Sequence, residues 1–461
     1  MTRFFVSLFL FVLVSRAETA DWIISARYVV TMDAQRRLVE NGAVAVRGER
    51  ILAVGTKADI DRLYQTKNRL DSGDAILAPG LINTHTHAAM SLLRGIADDL
   101  RLREWLEKYI FPAEAKNVSP DFVRWGTRLA CLEMMLSGTT TFTDMYYFED
   151  VVAEVAKEAG LRGVLGESVI GFPSPDARTP KDGLAYAERF IQKFRQKFGN
   201  DSLVVPAVAP HALYTNSDET LKAARQLANQ YGVPLLIHLA ETERERLESI
   251  AKFKMSPTKK LDSLGVFDGR TVAAHAIWVD SEDMDILQSK GVGVAHCPTS
   301  NMKLSSGAAP VTEMLKRGIA VGLGPDGPAG SNNDFNMFEE MDLAAMLQKL
   351  VTKDPRALPA RQAVEMATVH GARAIGLEKE IGSLEAGKCG DMIVVSLKDA
   401  HAAPLYDVYS QLVYALKGSD VREVFVNGRL IVKDRHSLTL RPREILLKAG
   451  EYHGKILSSL R

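Results

Sequence analysis

Eight successive units, each a β-branched run ending in a polar residue and followed by a helical stretch, predict an α/β protein built on a (β/α)8 barrel of the TIM type. Strand-like texture at both chain ends adds a second feature, and a length of 461 residues leaves room for a barrel and a smaller unit. From Asp21 to Ala78, short apolar runs alternate with turn residues such as Asn41-Gly42 and Gly48, as antiparallel strands do. A like texture returns from Gly382, with a strand over Met392 to Ser396 and a hairpin over Val421 to Val432 around Asn427-Gly428. Residues 21–78 and 380–440 are therefore expected to join in one small β-sandwich. The barrel then spans 79–379, and 441–461 form a C-terminal helical tail.

The expected barrel strands are Ile76 to His87, Thr139 to Met145, Gly163 to Ser168, Leu203 to His211, Pro234 to Glu241, Thr271 to Ala276, Gly291 to Pro298 and Ile319 to Asp326. A barrel of this kind works chemistry where its strands end. His85 and His87 close the first strand, and strand alternation puts i and i+2 on one face, so both rings can enter the barrel mouth. By itself a His-x-His pair is weak. His238 ends the fifth strand, His275 the sixth and Asp326 the eighth, and closure of the barrel brings these ends around one axis.

Three imidazoles and a carboxylate suit zinc or iron, with one position left open for water, and His85, His87, His238 and Asp326 are the assignable ligands. A cation held there lowers the pKa of water to about 7. Glu241 follows His238 by three residues, just beyond the strand, where a carboxyl group can move a proton between water, a ring nitrogen and a departing amine. A helix N-terminal carboxylate accounts for the same position, and the two roles are compatible.

The rest of the chain narrows the setting. Lys+Arg and Asp+Glu both total 57, which excludes an electrostatic nucleic-acid footprint and leaves a small molecule as the expected partner. Cys131, Cys297 and Cys389 are too few and scattered for a disulfide framework or a thiolate metal site, so any metal is held by nitrogen and oxygen. Arg3, the apolar run Phe4 to Val14 and Ser15-Arg16-Ala17 have the order of a signal peptide over residues 1–17. That leader favours a periplasmic or secreted protein, without stable membrane association once it is removed. An upstream start codon before a cytoplasmic enzyme, or an uncleaved anchor, is the alternative.

Long motifs carry a resemblance. They run from Pro79-Gly-Leu-Ile-Asn-Thr-His-Thr-His87 to Gly95, through Glu104-Trp105-Leu106, Pro112-Ala113-Glu114 and His238-Leu-Ala-Glu241. They continue with His296-Cys-Pro-Thr-Ser-Asn301 and Gly324-Pro-Asp-Gly327 before Ser331-Asn-Asn333. In these the chain resembles the amidohydrolase superfamily, and within it the bacterial 5-methylthioadenosine/S-adenosylhomocysteine deaminases, over nearly its whole length after residue 21.

The resemblance implies one metal ion on His85, His87, His238 and Asp326, with Glu241 moving protons. It further implies that Asp326 accepts a proton from the attacking water, His275 orients that water, Glu114, on the loop after the first barrel strand, accepts from the ribose hydroxyls, and His211 contacts the nucleoside. The fourth strand lacks a bridging lysine, which favours one ion over two. Departures are Pro325 before the strand-eight acid, an additional Gly330, Glu167 near the expected place of one substrate arginine, and Arg178 matching the other only across a gap. A homo-oligomer is compatible with this reading. Triazine, guanine or pterin aminohydrolases share such a site, and a non-catalytic scaffold would have lost ligands that this chain keeps.

Overall fold

The computed structural model describes residues 17–198 and 203–460. The expected leader lies outside them, apart from Ala17. Eight parallel strands close a barrel in sequence order: β1 (Leu81–Thr86), β2 (Thr139–Tyr146), β3 (Arg162–Val169), β4 (Val204–Pro210), β5 (Leu235–Leu239), β6 (Thr271–His275), β7 (Gly293–His296) and β8 (Val321–Leu323). Their buried, β-branched and alanine-rich runs meet the demand of strands covered on both faces. Ile82, Val164, Leu236 and Val272 fill the barrel interior together with the small Ala207, Ala274 and Ala295. Helices such as Asp218–Tyr231 and Ser281–Ser289 start on side-chain caps from Ser217 and Asp280.

Both chain ends contribute to one nine-stranded sheet. Ala75–Pro79 pairs with Met392–Ser396 there, antiparallel, so the expected first barrel strand is in fact two: Ala75–Pro79 in this sheet and Leu81–Thr86 in the barrel. Gly80 separates them, and a Cβ on it would come within 2.1 Å of Thr140 Oγ1. Asn41-Gly42 does not end a strand as expected. Leu38–Arg47 runs through it, with Asn41 at φ 46°, a conformation asparagine tolerates. Asn427-Gly428 does form the two-residue hairpin turn, both residues at positive φ. Pro442–Leu460 is helical, its Tyr452 hydroxyl donating to Asp121 Oδ2 at 2.5 Å on the helix Pro120–Leu136.

No helix among the described residues is long and apolar enough to cross a membrane. Where the sheet meets the barrel floor, Arg162 at the start of β3 is buried and donates to both oxygens of Asp391 at 3.1 and 3.2 Å, just before Met392–Ser396. Asp391 also accepts the Asn427 amide at 2.7 Å. A buried ion pair contributes little against an apolar substitute, but removing one partner leaves a desolvated charge, at a cost of about 3–5 kcal/mol. Asp391→Ala is therefore expected to lower unfolding stability by about 3–5 kcal/mol in urea titration. A loss under about 1 kcal/mol, the range of a surface pair, would contradict this account of the junction.

Candidate active site

The C-terminal ends of the strands bring His85, His87, His238, His275 and Asp326 into one cluster. Nitrogen atoms of His85, His87 and His238 lie within 4.8 Å of one another, and ligand atoms of His85, His275 and Asp326 do likewise. Asp326 Oδ1 sits 3.3 Å from both His85 Nε2 and His87 Nε2. Close approach is possible because Gly324 has no side chain; a Cβ there would come within 2.7 Å of the His85 backbone. The backbone is bent at these ends. Asp326 (φ 66°), His275 (φ 72°) and Ala240 (φ 47°) take left-handed conformations that only a determined surrounding maintains.

The donor set fits a divalent cation. His87 Nδ1 lies 2.7 Å from the Met145 carbonyl, and His238 Nδ1 lies 2.9 Å from the His211 carbonyl. A carbonyl only accepts, so each Nδ1 carries a proton and each Nε2 is turned toward the cluster. His275 Nδ1 is 3.1 Å from Asn301 Oδ1. His85 Nε2 is buried with no hydrogen-bond partner among the described residues. Asp326 receives the Ser300 hydroxyl and the Gly327 amide, each at 2.7 Å.

Burial pushes His85 down to about 4 and His211 to about 3, and holds His238 well below its ordinary value. It opposes charge on His87 too, yet the Asp326 carboxylate outweighs it and raises that ring to about 9. Asp326 is held well below the carboxylate range against its own burial, through the imidazoles. A desolvated carboxylate demands positive charge beside it, which a protonated His87 supplies here and a cation among neutral imidazoles would supply in its place.

Above the cluster opens a cleft of about 570 Å³ including its mouth. His87, His238, His275, Glu241 and Asp326 form its floor, while His85 is buried behind. Leu102, Trp105, Leu106, Ile110 and Phe111 cover it, and Tyr147, Ser168, His211 and Tyr214 wall it. Glu241 is buried with Oε2 3.8 Å from His275 Nε2; burial, then the Asp326 charge, push it up to about 8. Its amide and that of Ala240 donate to Glu245 at 2.8 and 3.1 Å. His211 Nδ1 lies 3.1 Å from Thr215 Oγ1.

Glu114 lines the cleft from the helix Phe111–Asn117 rather than from a loop. The Tyr146 hydroxyl donates to its Oε1 at 2.7 Å, and burial raises its carboxyl to about 7. Glu167 does not line the cleft: it is buried within β3, accepting the Glu149 amide at 2.9 Å. Arg178 is exposed and is not among the cleft-lining residues. The additional Gly330 takes φ 121°, and Lys303 donates to its carbonyl at 2.8 Å.

Sequence reasoning missed Tyr146, Tyr147, Ser300, Asn301 and Glu245. Tyr146 and Tyr147 stand at the end of the second strand, the signal that found the histidines. Ser300 and Asn301 lie inside the quoted motif beginning at His296.

Similarity to known proteins follows the same residues. The description "Amidohydrolase family" matches 76–431. A 5-methylthioadenosine/S-adenosylhomocysteine deaminase of Thermodesulfovibrio yellowstonii is 45% identical over 440 residues, 95% of this chain and 99% of the relative. A 5'-deoxyadenosine deaminase of Methanosarcina mazei is 43% identical over 432 residues, 93% of this chain and 97% of its own. The crystal structure of an adenosine deaminase from Xanthomonas campestris with bound zinc superposes with a TM-score of 0.93 at 37% identity, covering 96% of this chain and 100% of that one. With a family match over most of its length and relatives this near, the chain belongs to the amidohydrolase family.

Proposed function

We propose that this chain is a mononuclear hydrolytic deaminase of adenosine-type nucleosides, converting 5'-methylthioadenosine and S-adenosylhomocysteine to their inosyl products with release of ammonia. The observation that carries the reading is Glu114, a buried carboxyl group held by Tyr146 in the same cleft as the histidine–aspartate cluster. A carboxylate can accept from two adjacent hydroxyls, as a ribose edge presents. The names of these relatives support the same class of substrate.

In this reading His85, His87, His238 and Asp326 would hold one divalent ion, zinc before iron, which would lower the pKa of water to about 7. The chain's own groups do the rest. His275 orients the attacking water and Asp326 accepts its proton. Glu241, its carboxyl raised to about 8, gives its proton to the ring nitrogen, takes up the second proton of the added hydroxyl and passes it to the departing amine, and the proton on Asp326 then restores Glu241. His211 contacts the nucleoside from the wall, and the apolar cover from Leu102 to Phe111 limits water around the reacting ring.

Three outcomes are expected. Elemental analysis of purified protein should find close to one zinc or iron per chain, and His238→Ala should lose both metal and activity; two tightly held ions in active protein would refute a mononuclear site. Glu241→Gln should keep the metal while turnover falls by about 10²–10⁴, the usual contribution of a proton-transferring group. Near-normal turnover with full metal would reduce Glu241 to a structural carboxyl.

The third outcome concerns the substrate. Methylthioadenosine should be deaminated faster than its 2′,3′-dideoxy analogue by roughly 10²-fold or more, because charged hydrogen bonds contribute about 1.5–3 kcal/mol each. Glu114→Ala should erase most of that ratio with metal intact. Equal rates on the two, or preference for free guanine or a triazine, would remove the nucleoside assignment and leave a metal aminohydrolase.

A further inference from the structure

Glu167 stands outside the cleft, yet its contacts lead back into it. After β2 the chain turns through Tyr146, Tyr147, Phe148 and Glu149 into the helix Glu149–Ala159. Phe148 sits at φ 55°, which bends the turn so that its amides face inward. Three of those amides donate to buried or half-buried carboxyl groups: Tyr146 to Glu149 Oε1 at 2.9 Å, Phe148 to Asp176 Oδ2 at 3.0 Å and Glu149 to Glu167 Oε2 at 2.9 Å. Tyr146, the first residue of the turn, is the group that donates to Glu114, and Tyr147, the second, lines the cleft.

The second oxygen of Glu167 is buried without a hydrogen-bond partner among the described residues, and burial, then the neighbouring Asp176, hold this carboxyl well above its ordinary value. The Ser174 hydroxyl donates to Asp176 Oδ1 at 2.9 Å, leaving Oδ2 to the Phe148 amide. Glu167 and Asp176 thus each accept one amide of the turn.

We propose that Glu167 is a positioning residue: by accepting the Glu149 amide, beside Asp176 on the Phe148 amide, it holds the Tyr146–Glu149 turn where Tyr146 sets the Glu114 carboxyl against the nucleoside. Nothing in this role needs a negative charge on Glu167. A glutamine keeps the bond, its carbonyl accepting from Glu149. An alanine loses it and frees the turn. The inference rests on the nucleoside reading of the cleft, and the two are separable: the wild-type ratio of methylthioadenosine to its 2′,3′-dideoxy analogue reports on the reading, while changes in the variants report on the turn.

The test compares Glu167→Gln, Glu167→Ala and Asp176→Ala as metal-loaded full-length enzymes. Glu167→Gln should match wild type in kcat, KM and the hydroxyl-dependent ratio. Glu167→Ala should raise the KM for methylthioadenosine by about 10–100-fold, typical of a supporting contact, with a smaller change in kcat, unchanged metal content and a reduced ratio. Asp176→Ala removes the acceptor of the Phe148 amide in the same turn, from a half-buried loop position, and should give that KM-selective pattern even where Glu167→Ala folds poorly. The proposal is overturned if Glu167→Gln loses as much as Glu167→Ala, because the charge then matters. It is equally overturned if Asp176→Ala leaves KM and the ratio unchanged, or if the variants lose only thermal stability.

Discussion

The interaction on which this structure depends is the buried carboxylate of Asp326 among the imidazoles of the barrel mouth. A carboxylate taken out of water is costly unless it is paired, and the surrounding atoms are arranged to pair it. Gly324 lets β8 approach β1, the left-handed turn at Asp326 directs the side chain inward, and Ser300 and Gly327 occupy lone pairs the imidazoles do not meet. The carbonyls of Met145 and His211 hold the Nδ1 protons of His87 and His238, so the opposite nitrogens converge. Strain in the backbone and order in the side chains are two aspects of one constraint.

Beyond that cluster, buried glutamates in the first turns of helices hold the strand-end turns. Glu149 accepts the Tyr146 amide, and Glu245 accepts those of Ala240 and Glu241. Glu340 accepts the Asn332 side chain at 3.1 Å after β8. Each carboxyl is raised by burial, Glu245 and Glu340 to about 8 and Glu149 well above its ordinary value. A helix N-terminus favours such a group there, and the amides it receives are those that a tight turn leaves without intrahelical partners. The same device therefore supports Tyr146, the turn that carries Glu241 and the loop after the last strand.

Much of this was legible in the sequence, for definite reasons. Strand alternation and the strand-end rule located His85, His87, His238, His275 and Asp326 because those signals are local and repeat eight times. The partition of Ile76 to His87 between two sheets was not legible. Its apolar run is continuous, and only the contact of Gly80 with Thr140, distant in sequence, marks the break. Tyr146, Glu149 and Asp176 escaped because a side chain that bonds another element's backbone leaves no period behind it. That Glu114 lies on a helix was not legible either, although Pro112, with its fixed φ, suits a first turn.

How Glu114 reaches the cleft follows from the helical segment that carries it. Leu106–Ile110 forms a π-turn between the short helix Leu102–Trp105 and the helix Phe111–Asn117. A regular α-helix that faced the cleft with Leu102 and Leu106 would next present Tyr109 and Ala113. The wider turn adds a residue to the repeat, so Ile110 and Glu114 take those places, Tyr109 is left 42% exposed, and Ala113 packs into the core. Trp105 then anchors the segment by donating to the Ala329 carbonyl at 2.9 Å, in the loop beyond Asp326. One irregular turn thereby carries a carboxyl group into an otherwise apolar cover, and Trp105 ties that cover to the loop that follows Asp326.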